Sequence, residues 1–298
     1  MIVRRAHQIS GAGGDDPMSM KTILIPTESS DAMRSVLATA LTLAQRFESY
    51  IEGFPLHWAS GEAIAVDMMG GILIERGERE KAEATATARH LFESFMQQHG
   101  VPRATDTTGR LSFGWLNEAS EGDSFAGNYG RVFDITVMGR AAPNSAALRA
   151  RAIESALFES GRPVLLSPPS PPSRIGSNVL IPWNRSTEQA LATALAMPLL
   201  QKADRVTVLS VTGGAEVPGP PADRLVRHLR RNSIPAEILV VAIEGRTTGE
   251  AVLAVAESLG CDLLIKGAYT QSRLRQMIFG GTTQHIMANA NVPVLLAK

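Results

Sequence analysis

Cysteine is almost missing from this 298-residue chain: Cys261 stands alone between Gly260 and Asp262, just ahead of the apolar run "LLI". One thiol cannot build a disulfide framework, so the fold is expected to rest on packed cores in a reducing, cytoplasmic setting. Cys261 itself reads as a small core residue at a strand start rather than a nucleophile. Net charge is missing too, since 29 Lys and Arg balance 29 Asp and Glu. That balance argues against nucleic acid or an anionic membrane surface as a partner. No apolar run approaches the ~20 residues of a membrane span. The signatures of harder chemistry are absent as well: there is no G-x4-G-K-[ST], no H-E-x-x-H, no G-x-S-x-G and no paired cysteines. The six histidines are not spaced as ligands on one helix face, so no metal is expected. Without paired carboxylates beside the glycine-rich loop described below, no general base is evident and no catalytic reaction is expected.

The first twenty residues, "MIVRRAHQISGAGGDDPMSM", carry Arg4 and Arg5 but no apolar core. They read as a disordered extension rather than a secretory signal. The "GAGGDD" within them has no strand before it and no helix after it, which excludes a dinucleotide fingerprint.

What the sequence does have is one pattern written twice. A Pro- and Ser-rich stretch, "PPSPPSRIGS" at 168–177, reads as an extended linker and divides the chain near its middle. On either side stand "KTILIPTESSDAMRSVLATALTLAQ" (21–45) and "SNVLIPWNRSTEQALATALAMPLLQ" (177–201), each an apolar run closed by Pro26 or Pro182, a polar turn and an Ala/Leu-rich helix. Later in each half a strand ends in glycine, "DITVMGR" and "DLLIKGA", and a helix leads to a last strand, "RPVLLS" or "VPVLLA". Alternating strands and helices predict a parallel sheet covered by helices. The units are 21–167 and 178–298. In the second half the spacing predicts strands over 178–182, 205–212, 236–243, 262–266 and 292–297, with helices over 187–202, 221–232, 247–260 and 282–290. In the first half an apolar, glycine-broken segment at 61–77, including Met68 and Met69, reads either as a cover over a pocket or partner surface or as a short helix on the sheet edge.

Ligands of open α/β sheets sit at the carboxyl ends of the strands. Two loops of the second half meet there: "PWNRS" (182–186) and "GAYTQSRLRQMIFGGTTQHI" (267–286). Gly280 and Gly281 provide backbone that a phosphate can approach, and Thr282 and Thr283 open a helix whose free N–H groups favour an anion. Trp183 offers an aromatic wall and Asn184 a hydrogen-bonding amide. Arg273 and Arg275 are either phosphate ligands or solvated surface. His285, about one turn into the helix, reads as a surface or capping residue or as a group facing an anion.

These residues resemble the universal stress proteins. Nucleotide-binding members of that family carry G-x2-G-x9-G-[ST] after the fourth strand and a P-x-D-G-S-like turn after the first. The matching positions here are Gly267, Thr270 in place of the second glycine, Gly280, and Gly281 in place of Ser or Thr. After the first strand Asn184 follows Pro182 and Trp183 in place of Asp, and Arg185 stands in place of Gly. The resemblance implies two tandem Rossmann-like domains, each a five-stranded parallel sheet in order 3-2-1-4-5 with helices on both faces. They pair about a pseudo-two-fold axis, with the fifth strands near the interface. It also implies an ATP or AMP site made by Pro182, Trp183, Asn184, Gly267, Thr270, Arg273, Gly280, Gly281, Thr282 and Thr283. The first half has Ala142 at the second glycine position and no counterpart of Gly280 and Gly281, which predicts a degenerate site. The function expected is a non-catalytic stress-response module, with an unknown protein partner and a homodimer as a candidate assembly. A slow ATPase or nucleotidyl-transfer enzyme on the same fold is one alternative, and a nucleotide-free, partner-binding dimer is another.

Overall fold

The computed structural model describes residues 20–56, 70–105, 110–116, 124–140, 146–214, 216–268 and 281–298. The first half comprises β1 (Thr22–Thr27), α1 (Met33–Phe47), β2 (Tyr50–Pro55), α2 (Gly70–Gln98), β3 (Ser112–Trp115), α3 (Phe125–Gly130), β4 (Ile135–Met138), α4 (Ala146–Glu159) and β5 (Val164–Leu166). The second comprises β6 (Asn178–Pro182), α5 (Thr187–Leu195), α6 (Met197–Gln201), β7 (Arg205–Thr212), α7 (Ala222–Arg231), β8 (Ala236–Ala242), α8 (Thr248–Ser258), β9 (Leu263–Gly267), α9 (Gly281–Asn289) and β10 (Val294–Ala297).

The strands form a single sheet in the order β3-β2-β1-β4-β5-β10-β9-β6-β7-β8. Each half keeps the expected 3-2-1-4-5 order with parallel pairing. The expectation of two separate sheets is corrected, because the fifth strands do more than lie near each other. β5 and β10 pair antiparallel, with Leu165 opposite Leu295, and fuse the halves edge to edge. That pairing satisfies backbone groups that each half alone would leave as an open sheet edge.

Period-two alternation sends successive strand residues to opposite faces. Ile23 and Ile25, Val179 and Ile181, Leu263 and Ile265 belong to one buried core, under α1, α2, α5, α6 and α7. Leu24, Leu180 and Leu264 belong to the other, under α3, α4, α8 and α9. Each core draws side chains from both halves. The repeat also holds at atomic detail. Asp134 Oδ2 accepts the backbone N–H groups of Lys21 and Thr22 at 2.8 and 2.9 Å, and the Asp262 carboxylate accepts those of Ser177 and Asn178 at 3.2 and 3.0 Å. In both halves the Asp before the fourth strand ties down the start of the first.

Several boundaries differ from expectation. The helix predicted over 187–202 is two helices, because Pro198 falls in the first turn of α6 and cannot continue the i→i−4 ladder. Residues 70–77 are not a short edge helix but the opening of the 29-residue α2; Met68 and Met69 lie outside the described residues. Met20, assigned to the extension, is 2% exposed and accepts a hydrogen bond from Ser49. Residues 1–19 lie outside the described residues. The Pro/Ser stretch contains no helix or strand. It runs along α1, where Pro168 and Pro172 accept hydrogen bonds from Ser35 and Thr42, and its Ile175 is buried in the core. Cys261 is buried, and burial, then the Asp262 charge, push its thiol up to about 11, so it is no activated thiolate. Among the described residues no helix is long and apolar enough to cross a membrane.

Candidate functional site

β6 and β9 pair only at Val179 with Leu263 and Leu180 with Leu264, then diverge. Past that point β6 stays with β7, and β9 stays with β10 as far as Ala297 opposite Gly267. This splitting of neighbours at their carboxyl ends is the switch-point geometry that opens a crevice. A cleft of about 210 Å³ lies there.

Its walls come from five places. The end of β6 and the following loop contribute Pro182, Trp183 and Asn184. Leu209 and Val211 of β7 join Glu216 and Val217 beyond it. Thr248 and Val252 come from α8, and Lys266 of β9 lies opposite Gly281, Thr282 and Thr283 of α9. Apolar side chains and a few polar groups thus share one concavity.

The β6–α5 loop is held by its own side chains. Asn184 Oδ1 accepts from the Ser186 backbone and hydroxyl at 3.3 and 2.9 Å, and the Ser186 hydroxyl in turn accepts the Gln189 N–H, capping α5. Arg185 adopts φ +69°, the left-handed conformation that explains why the family pattern has glycine there. Its guanidinium pairs with Glu216 at 2.8 Å. Trp183 is 6% exposed, and its indole N–H donates to the Pro220 carbonyl, so it is a fixed apolar part of the wall.

Two helices direct their N-termini at the cleft. α8 begins with a capping box between Thr247 and Glu250. α9 begins at Gly281, where an added Cβ would meet nothing within 4 Å. Of the ten expected site residues, Pro182, Trp183, Asn184, Gly281, Thr282 and Thr283 share this cleft. Gly267 does not line it. An added Cβ there would lie 2.3 Å from the Gln189 backbone nitrogen, so this glycine lets α5 cross the strand. Thr270, Arg273 and Gly280, with Arg275, lie outside the described residues. His285 packs on Gly249, whose missing Cβ makes room for it, and is off the cleft.

Sequence reasoning missed Lys266 and Glu216. Lys266 is 4% exposed, and its ammonium donates to the Gly267 carbonyl at 2.7 Å. Burial pulls its pKa down to about 8, against the opposing pull of Glu188. Burial alone would raise the Glu188 carboxyl, but its own backbone N–H and Lys298, 3.4 Å away, bring it below the usual range. The missed signal was a lysine on the same strand face as Leu264, inside an otherwise apolar run. Glu216 is a single carboxylate in the lining of the cleft, and Arg185 engages it.

The first half shows the contrast. Between the ends of β1 and β4 only about 10 Å³ remains, lined by Pro26, Glu28, Met138, Gly139 and Arg149 among others. Arg149, 4% exposed, pairs there with Glu28. This leaves room for about one water molecule.

Residues 177–298 match the model of the Universal stress protein family. The similarity to that family therefore rests on the second half of the chain. The chain is 31% identical over 62 residues to universal stress protein MJ0577 of Methanocaldococcus jannaschii, covering 21% of this chain and 36% of that protein. It is 31% identical over 49 residues to stress response protein NhaX of Bacillus subtilis, covering 16% and 30%. The matched regions thus span about a third of each relative's length. Among solved structures, a universal stress protein from Archaeoglobus fulgidus superposes with a TM-score of 0.69 at 16% identity, covering 94% of this chain and 97% of that one. A functionally unknown protein from Pseudomonas aeruginosa gives 0.51 at 13% identity over 94% and 93%. At these identities the structural matches speak to fold alone.

Proposed function

We propose that the chain is a tandem universal stress protein acting in the cytoplasm as a non-catalytic stress-response module, and that its second half binds one adenine nucleotide, AMP or ATP. The observation that carries this reading is the β6/β9 cleft, where apolar walls suited to a base adjoin two helix N-termini and a buried ammonium suited to phosphate. At about 210 Å³ the cleft is below the ~300 Å³ at the small end of drug-sized pockets, which favours a mononucleotide over a dinucleotide. The donor set fits as well. Thr248, Thr282, Thr283 and Lys266 would serve phosphate oxygens, and Asn184, which substitutes for the family's Asp, would serve the ribose. The Arg185–Glu216 pair supports a binding role over catalysis, since the carboxylate of the cleft is already engaged.

Native mass spectrometry of the purified full chain tests the proposal. A mass increment matching AMP or ATP, present as isolated or after addition, is expected. No increment on addition would reject the nucleotide reading, and steady phosphate release from ATP above a mock preparation would reject the non-catalytic one.

A further inference from the structure

The second half contains a buried ammonium that feels the charge of Glu188 but forms an ion pair with no described side chain. Lys266 is 4% exposed and donates one hydrogen bond, to the carbonyl of Gly267. An ammonium has three protons to donate and a charge that is costly to bury unpaired. Glu188, whose charge acts on Lys266, pairs with Lys298 at 3.4 Å, and Glu216, the carboxylate lining the cleft, pairs with Arg185 at 2.8 Å. Among the described residues Lys266 forms no ion pair.

The first half supplies an internal control. Aligning "DITVMGR" with "DLLIKGA" puts Met138 at the position of Lys266. Met138 is 2% exposed and lines the corresponding cleft, which the Arg149–Glu28 pair fills. The same backbone position therefore accepts an apolar side chain of similar length. The second half instead has an ammonium, an open cleft, and the N-terminus of α9, which has no acidic residue in its first turn, adding positive potential to it.

We propose that Lys266 is the anion anchor of the β6/β9 cleft, pairing directly with a phosphate or pyrophosphate group of the bound ligand. The inference rests on the nucleotide reading for the ligand's setting but not for its base, because any small phosphate-bearing molecule would satisfy the ammonium. The charge is supplied by protein, so binding does not require a divalent cation.

The test uses the full chain, with Lys266→Met copying the first half and Lys266→Gln as a second variant. Inorganic pyrophosphate, AMP and ATP are titrated by calorimetry in the presence of EDTA, and thermal unfolding is recorded without ligand. Wild type is expected to bind pyrophosphate in EDTA, and both variants to lose at least tenfold in affinity. Ligand-free Lys266→Met is expected to melt higher than wild type, because an unpaired buried charge has been removed; a merely structural lysine would make it melt lower. Equal pyrophosphate affinity in wild type and variants, or no pyrophosphate binding by wild type, overturns the inference. Lys266-dependent pyrophosphate binding without AMP or ATP binding would sink the nucleotide reading and leave the anchor standing. Nucleotide binding that ignores both substitutions would do the reverse.

Discussion

The backbone N–H of Gly267 donates to Gln189 Oε1 at 3.0 Å while Gln189 Nε2 donates to the Ile265 carbonyl, also at 3.0 Å. One amide side chain thus takes the place of the strand that β6 ceases to be where it leaves β9. Gln189 is fully buried, so Gln189→Ala leaves a buried donor and a buried acceptor unsatisfied. A loss of about 2–6 kcal/mol is expected in chemical denaturation, at 1–3 kcal/mol for each of the two orphaned groups. Gly267→Ala, which drives a Cβ into the α5 backbone, should cost at least as much.

Gly281→Ser restores the hydroxyl residue of the family pattern at a position where an added Cβ meets open space. Stability should hold or rise by up to about 1 kcal/mol, since glycine is a poor helix residue. AMP should bind severalfold tighter, matching one added hydrogen bond of about 1 kcal/mol. Calorimetry on the two proteins checks both points, and weaker binding at equal stability would count against α9 facing the ligand.

In the first half, Arg149→Met leaves Glu28 without its partner in a nearly closed site. Because the Glu28 side chain is 19% exposed and keeps the Ser30 hydroxyl as a donor, the cost falls below the roughly 3–5 kcal/mol of a fully buried pair, at about 1–3 kcal/mol, and adding Glu28→Gln should recover part of it. Denaturant midpoints of the two single variants and the double variant give the coupling directly.

Lys266 makes a pH prediction whose sign follows from burial. Its folded pKa of about 8 lies below its ordinary 10.5. Between those values the unfolded chain holds a proton that the folded chain has released, so this group makes stability rise with pH across that window and penalises folding below it. The limiting slope is about 1.4 kcal/mol per pH unit. The stability advantage of Lys266→Met over wild type should therefore narrow from below pH 8 to above pH 10, and parallel profiles would contradict it. Phosphate affinity should fall over the same rise in pH as the ammonium is lost. Of the neighbouring charges, Glu216 in the cleft is paired with Arg185, and Glu188, which acts on Lys266 through its charge, is paired with Lys298.

Much of the architecture was legible because it is local. Apolar runs closed by Pro26 and Pro182, the Asp134 and Asp262 that open the fourth strands, and the switch between strand and helix periods all survive in the structure. The β5–β10 junction was not, because pairing between edge strands depends on where two distant halves come to rest. The break at Pro198 was legible in principle, but the strong Ala/Leu pattern around it outweighed the proline. At the site, sequence pattern brought out the loop residues and the opening of α9. It could not separate the packing role of Gly267 from a ligand role, because both require the same missing Cβ. Nor did it bring out Lys266, whose importance comes from burial beside a cleft rather than from any motif.

The central claim is that the second half alone retains an open nucleotide cleft. Isothermal titration of the full chain with AMP measures it most directly. A stoichiometry of one nucleotide per chain, unchanged by Arg149→Met, is the predicted result; two sites per chain, or no heat at millimolar AMP, would contradict it.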